Sequence, residues 1–400
     1  MQNAKIKNFC QDCGRPSVCH IQTWLDELLN RFLPRMVLPR KIEQFFDACL
    51  EGFFIFFGFA KLRDDFTNSD ILLRSFCLIE ELRKRGARVQ ALRGLAGYTN
   101  CFRVEINGKV VRFEKLPIAD FVGKSDMRII DDKEKTKTRL RKGNFPVADG
   151  KAFWFLQKKK ALTYGMEKLG IPLTVKPRGG SFSRHVTCNI NSSRELENAI
   201  DKAIKYSPSF IIERFLKDIS VFRATVVDFD FIACCERIPA NVVGDGEHSI
   251  KQLIKIKNTH AFRKNSKGKD TPLCKIIADK TTDELLKNKD YNLTTIPFKK
   301  EIVWLQKDPF WRLGADVIES TEKAHPDNLK LFKDVAKAFD TRLVGIDFLV
   351  KNISVSWKNQ VSAIIELNSL PCIELHHFPS LGPPQNAAKA VADLFFKYYL

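Results

Sequence analysis

From residue 70 the apolar positions fall into a helical rhythm. Ile71, Leu72, Phe76, Ile79 and Leu82 share one face, and Arg83-Lys84-Arg85-Gly86 supplies a basic last turn with a glycine stop. Two strand-like runs follow, 101–106 and 110–113, joined at Asn107-Gly108, a dipeptide that favours a tight hairpin. A helix followed by strands predicts a small α/β N-terminal domain over 41–130, preceded by a tail over 1–40. From Asp131 the alternation continues. One helical stretch ends near Arg141, another covers 158–169 and stops at Gly170, and a strand at 173–176 enters a loop rich in glycine and serine. Further strands are expected at 210–213, 222–227, 231–237, 343–350 and 363–367, and helices at 195–205, 329–339 and 386–398. Residues 255–300 are lysine-rich and weakly periodic, and read as a long mobile insertion. The pattern predicts an α+β chain of several modules, divided at 131–207 and 208–400.

The most apolar segment, 50–59, is ten residues rich in Phe and interrupted by Glu51. About 20 residues are needed to cross a bilayer, so the segment reads as a buried helix or strand, or at most an interfacial patch. The N-terminal stretch MQNAKIKNFCQDCG lacks the apolar run of a secretory signal. The 11 cysteines are an odd number in mostly apolar settings, which fits reduced thiols in a soluble cytoplasmic protein. Cys10, Cys13, Cys19 and His20 form a C-x2-C-x5-C-H cluster that could close a tetrahedral zinc site, although neighbouring Cys19 and His20 do not easily share one ion. The alternative is a mobile tail with incidental thiols.

Composition is otherwise that of a globular chain: 400 residues, 44% hydrophobic and 28% charged. Charge changes the picture. The 66 Lys and Arg exceed the 47 Asp and Glu by 19, which predicts an anionic partner. Residues 124–160 hold 12 basic and 5 acidic side chains, and 255–300 hold the same numbers, so most of the excess lies in two segments.

Three stretches carry candidate chemistry. In LTVKPRGGSFSRHV, residues 173–186, a strand delivers Lys176 to a turn containing Gly179, Gly180 and Ser181, whose backbone N–H groups can face phosphates. The lysine precedes the glycines, so this is not a Walker A loop. Asp347 and Glu366 lie on two expected strands, and Asn368, two beyond Glu366, faces the same side of its strand. Two carboxylates and a carboxamide are hard oxygen donors suited to Mg2+. In Ile211-Ile212-Glu213-Arg214-Phe215-Leu216 a strand runs into a linker, where an acceptor could meet an adenine amino group.

In this order and spacing, the three stretches resemble the ATP-grasp carboxylate–amine ligases, most nearly the ATP-grasp module of cyanophycin synthetase and of glutathione synthetase-type bifunctional enzymes. The resemblance runs from about Asp70 to the C-terminus. It is strengthened by Arg237-Ile238-Pro239-Ala240-Asn241-Val242-Val243-Gly244-Asp245-Gly246, by residues 316–328 around His325-Pro326, and by Phe378-Pro379-Ser380-Leu381-Gly382. Asp132-Lys133 with Thr136-Lys137 also looks like the family's D-K-x-x-T-K helix start.

The resemblance implies an ATP-grasp fold, two α/β subdomains clasping ATP, preceded by a small α/β domain. It implies that Lys133 and Lys176 hold the phosphates under a loop including Gly179, Gly180, Ser181 and Arg184, and that Glu213 and the backbone near Leu216 bind adenine. Asp347, Glu366 and Asn368 would carry two Mg2+ ions, and Arg223 and Arg237 would stabilise the transferring phosphoryl group. The implied reaction activates a small carboxylate as an acyl phosphate, which an amine of an amino acid or peptide displaces.

The sequence departs from the family at several points. Ser220 stands where an acid would hold the ribose, with Asp218 a substitute. Ser183 and His185 replace glycines in the phosphate loop, and Asn368-Ser369-Leu370-Pro371-Cys372 replaces Asn-x-x-Pro-Gly. His376 and His377 either line a substrate pocket or are packed. The sequence closes at Leu400 without a Mur-ligase-like domain, so polymer synthesis of the cyanophycin kind is not expected. Alternative readings are a ligase that tailors a protein with amino acids, and a catalytically weak scaffold or nucleic-acid-binding protein. No nucleic-acid motif supports the last. A membrane partner is not expected, and a homo-oligomer is compatible with the sequence.

Overall fold

A computed structural model describes residues 10, 18–32, 40–117, 127–130, 132–180, 184–264 and 273–399. Contacts divide the chain into two units. One comprises 1–37, 126–219 and 361–367, and the other 38–125, 220–360 and 368–400.

The first unit is built on an antiparallel sheet in the order Gly150–Trp154, Ser209–Arg214, Leu173–Pro177, Thr187–Ile190. Its helices are Lys158–Thr163, continued by a π-helical turn Tyr164–Leu169, and Ser193–Ile204, whose cap Ser192 accepts from the Glu195 N–H. Leu173, Val175, Phe210 and Ile212 pack with Leu196, Ala199, Ile200 and Ala203. Strand alternation therefore sends Thr174, Lys176, Ile211 and Glu213 to the opposite face of the sheet. Leu173–Pro177 is buried throughout, so Lys176 is taken inside the protein. Helix Val18–Phe32 also belongs to this unit. Trp24 Nε1 donates to the Ile204 carbonyl at 3.0 Å, and the Ser207 hydroxyl donates to Glu27.

The second unit contains the expected hairpin. Strands Ala60–Arg63, Arg88–Gly94, Gly97–Ile106 and Lys109–Glu114 pair consecutively. Asn107 and Gly108 take φ of +50° and +73°, the left-handed pair that a two-residue turn of this hand requires. Helix Leu73–Lys84 and helix Ala387–Tyr399 share one cluster in which Leu78, Ile79, Leu82 and Phe113 meet Val391, Leu394 and Phe395. A further sheet runs Asp316–Glu319, Phe231–Ile238, Ser220–Val227, Leu343–Val350, and is covered by helix Pro326–Ala338 with Phe332 against Phe348.

Two readings are sharpened by the structure. Within 255–300, read as a long mobile insertion, the described residues include regular elements. Helices Ile250–Lys257 and Lys280–Lys287 are capped by Ser249 and Asp279 and close a small core of Ile250, Leu253, Ile254, Ile276, Leu286 and Val303; residues 265–272 lie outside the described residues. Eight-residue helices complete barely two turns, too few for a clear period. The Phe-rich segment 50–59 is not buried. It ends helix Arg40–Phe56, and Phe45, Phe53 and Phe56 are 64%, 51% and 83% exposed. The helix docks through polar side chains instead. Gln44 Nε2 donates to the Arg112 carbonyl at 2.7 Å and its Oε1 accepts from the Arg112 N–H, while Glu51 accepts from the Arg112 guanidinium at 3.0 Å. Among the described residues no helix is long and apolar enough to cross a membrane.

These burials set opposite expectations for two phenylalanines. Phe395→Ala should cost roughly 3–5 kcal/mol by leaving a cavity in the shared core. Phe56→Ala should change stability by no more than about 0.5 kcal/mol. Urea unfolding of both variants measures the difference.

Candidate active site

Helix Lys133–Lys142 starts at Asp132, whose carboxylate accepts from the N–H groups of Glu134 and Lys135. The same carboxylate receives Arg178, Nε at 3.0 Å and Nη2 at 2.8 Å, so one Asp caps the helix and holds the residue before Gly179. Lys133, in the first turn, reaches the Gly180 carbonyl at 2.6 Å. Lys137, one turn on, shares the face of Lys133 and is more deeply buried, its side chain 1% exposed.

Glu213 binds two ammonium groups. Its Oε2 accepts from Lys137, and its Oε1 lies 2.7 Å from Lys176 Nζ. Lys176 also approaches the Ile365 carbonyl at 3.5 Å. Burial alone would raise the Glu213 carboxyl, but Lys176 and Lys137 outweigh it and hold the group at about 2. Burial holds the Lys137 ammonium below the usual lysine value despite Glu213. Two buried cations therefore share one buried carboxylate, which leaves one positive charge in a water-poor setting. An anion is what that setting lacks.

Of the expected phosphate and adenine residues, the structure joins Lys176 to Glu213 and Lys133 to Gly180. Gly179 and Arg184 are half-buried, and Ser181 lies outside the described residues. Leu216 is half-buried two positions beyond strand Ser209–Arg214. Lys137 was not among the expected site residues. Its signal was the four-residue spacing from Lys133 within Asp132-Lys133-x-x-Thr136-Lys137.

In the second unit, Arg223 and Asp347 stand directly opposite on paired strands. Arg223 Nε donates to Asp347 Oδ1 at 2.5 Å, and Arg237 Nη2 lies 3.5 Å from Oδ2. Both Arg223 and Asp347 are buried. Asn368 sits beside this pair. A Cβ placed on Gly345 would lie 3.2 Å from Arg223 Nη1 and 3.5 Å from Asn368 Cβ, so a side chain here would press on the Arg223 guanidinium. The Asn368 side-chain nitrogen is buried without a hydrogen-bond partner among the described residues. Glu366 is half-buried in the strand Ser362–Asn368. The departure from Asn-x-x-Pro-Gly has a structural counterpart. Arg74, from helix Leu73–Lys84, donates to the Leu370 carbonyl at 3.0 Å and to Cys372 Sγ at 3.0 Å, and lies 3.3 Å from Glu374.

His376 and His377 are packed. His376 is fully buried, with Nε2 2.9 Å from the Thr225 hydroxyl, and His377 Nε2 accepts from the Ala388 N–H at 3.0 Å at the start of the last helix. Burial pushes His376 down to about 3 and His377 down to about 4, so both are neutral. Ser220 opens strand Ser220–Val227, and Asp218, at φ +52°, is exposed.

No protein-family model matches the chain. It is 33% identical over 281 residues, 70% of its length, to cyanophycin synthetase from Crocosphaera subtropica, and covers 32% of that protein. It is 30% identical over 272 residues, 67% of its length, to the glutathione biosynthesis bifunctional protein GshAB from Clostridium perfringens, and covers 34% of that one. The chain thus spans about a third of the length of these curated relatives. Among solved structures, a bifunctional glutathione synthetase from Pasteurella multocida superposes with a TM-score of 0.62 at 21% identity, covering 82% of this chain and 44% of that one.

Two expectations follow from the geometry. Glu213→Gln leaves both lysine ammoniums without a carboxylate and should cost roughly 3–5 kcal/mol. Lys137→Met leaves the neutral Lys176–Glu213 pair and should cost less, and denaturant titration gives the ranking. The second concerns acid. His376 and His377 have folded pKa values below their unfolded value of about 6.5, so their contribution is complete above pH 6.5 and is lost as pH falls towards 4. Stability should fall by about 1.4 kcal/mol per pH unit for each histidine in that window. Thermal melts between pH 7 and 4.5 should show about half the slope in His376→Gln.

Proposed function

On the premise that this chain has the ATP-grasp fold and resembles the ATP-grasp carboxylate–amine ligases, we propose that it is an ATP- and Mg2+-dependent ligase. It joins a small carboxylate to an amine of an amino acid or peptide and releases ADP and phosphate. The observation that carries this reading is the buried positive charge left by Lys137 and Lys176 on Glu213. A phosphate group supplies the missing anion.

In this reading Lys133 and Lys176, with the backbone at Gly179 and Gly180 and the side chain of Arg184, hold the nucleotide's phosphates. Asp132 and Arg178 fix the entry to that loop. Each Glu213 oxygen has a second lone pair, which can accept the adenine amino group alongside the backbone near Leu216. The donor set of Asp347, Glu366 and Asn368, two carboxylates and a carboxamide, fits Mg2+ by its chemistry. The unpartnered Asn368 side-chain nitrogen is a donor, so it would meet a phosphate oxygen while the carboxamide oxygen meets the ion. These three residues would hold two ions, which when bound would neutralise phosphate charge.

The substrate carboxylate oxygen attacks the γ-phosphorus as ADP leaves, forming an acyl phosphate. The amine nitrogen then attacks the acyl carbon, phosphate leaves, and the amine gives up its proton. All reactants before the amine step are anions, so the protein's task is positioning and charge neutralisation. Arg223 and Arg237, both anchored on Asp347, present guanidiniums to the transferring phosphoryl group without needing to reorganise.

A panel of amino acids and dipeptides, assayed for phosphate release with Mg-ATP, tests the reading. Release should require both a carboxylate and an amine. Glu366→Gln should lower turnover roughly 100-fold or more, the scale for removing one preorganised charge-handling group. Turnover equal to that of the unmodified chain would refute the assignment.

A further inference from the structure

Three metal-ligating side chains meet in the first unit, none of them used by the proposed reaction. Cys10 precedes helix Val18–Phe32, His20 lies in its first turn, and His185 follows Arg184, 175 positions after Cys10. Their ligand atoms all lie within 4.8 Å of one another. Cys10 Sγ is 3.6 Å from His185 Nε2. With Zn–S near ~2.3 Å and Zn–N near ~2.05 Å, the edge of a tetrahedral zinc site is also about 3.6 Å.

The surroundings prepare His185 as a ligand. Its Nδ1 lies 2.9 Å from the Lys202 carbonyl, which can only accept, so Nδ1 carries the proton and the Nε2 lone pair faces the sulfur. The ring lies between His20, edge-on at 5.0 Å, and Tyr206, stacked at 5.0 Å. His185 is 1% exposed and His20 9%. His185 also holds φ at +55°, an uncommon conformation for a residue other than glycine.

We propose that Cys10, His20 and His185 bind a zinc-type divalent metal ion. The site differs in kind from the oxygen donors proposed for Mg2+, because thiolate and imidazole favour softer ions. Binding releases the Cys10 thiol proton, and the three ligands leave a fourth position open. The expected cluster within the N-terminal tail is thereby redrawn: its Cys10 and His20 are joined by a histidine from the far end of the 179–184 loop. Cys13 and the Cys19 side chain lie outside the described residues. A bound ion would pin the N-terminal helix to the residue that closes that loop. The proposal does not depend on the ligase reading.

The full, untagged chain is purified without chelator, its zinc is measured by mass spectrometry, and zinc is then exchanged for Co2+. Expected are about one zinc per chain, the visible bands of tetrahedral Co2+, and a thiolate-to-cobalt charge-transfer band that disappears in Cys10→Ser. Cys10→Ser and His185→Gln should each weaken zinc binding roughly tenfold or more. Failure of the unmodified chain to take up zinc saturably would overturn the site, as would an octahedral cobalt spectrum. So would a folded His185→Gln variant that keeps its zinc undiminished. Since the cobalt spectrum is read on the unmodified chain, a variant that does not fold leaves the test intact.

Discussion

One buried carboxylate shared by two buried lysines constrains the first unit. Charges at such depth persist only when paired, and here pairing is incomplete by one charge. The surrounding elements are arranged around that deficit. Strand alternation commits Leu173, Val175, Phe210 and Ile212 to the apolar core and thereby turns Lys176 and Glu213 to the other face. Helix Lys133–Lys142 adds Lys137 from outside the sheet, and Asp132 fixes the start of that helix while restraining Arg178. The electrostatic cost carried by these residues is the same cost that a phosphate anion would relieve.

The second unit shows a related economy of charge. Arg223 and Arg237 converge on Asp347, so the guanidiniums are oriented before any ligand arrives. Arg74 then links the helix of the N-terminal segment to residues 370–374, directly after Asn368. A segment that looks separate in the sequence thus both completes a core with the last helix and fastens the chain next to a candidate ligand. The molecule's excess of positive charge acquires two kinds of place. Some of it is interior and paired to carboxylates, and much of the rest lies on outward faces such as those of helices Ile250–Lys257 and Lys280–Lys287.

Much of the secondary structure was legible because its signals are local. The helix near 73–84, the Asn107-Gly108 hairpin and strand Leu343–Val350 each depend on spacing or on a residue that tolerates positive φ. The Phe-rich segment misled because apolarity normally marks the inward face, whereas helix Arg40–Phe56 docks through Gln44 and Glu51. The lysine-rich region gave a weak signal for the opposite reason: few apolar residues suffice when capped helices bring them together. His376 and His377 could be read either way, since a sequence does not reveal what a histidine ring touches.

The sequence by itself determined the order of elements and the residue types available for binding phosphate and divalent metal, because motif spacing and strand alternation are properties of the chain. Only tertiary structure decided which charges face each other. It put Lys137 on Glu213, tied Arg74 to Cys372 and brought His185 to Cys10, contacts spanning 76, 298 and 175 positions. Such pairings depend on how separate elements pack. Their energy also depends on burial, which turns a modest attraction in water into one that shifts Glu213 to about 2.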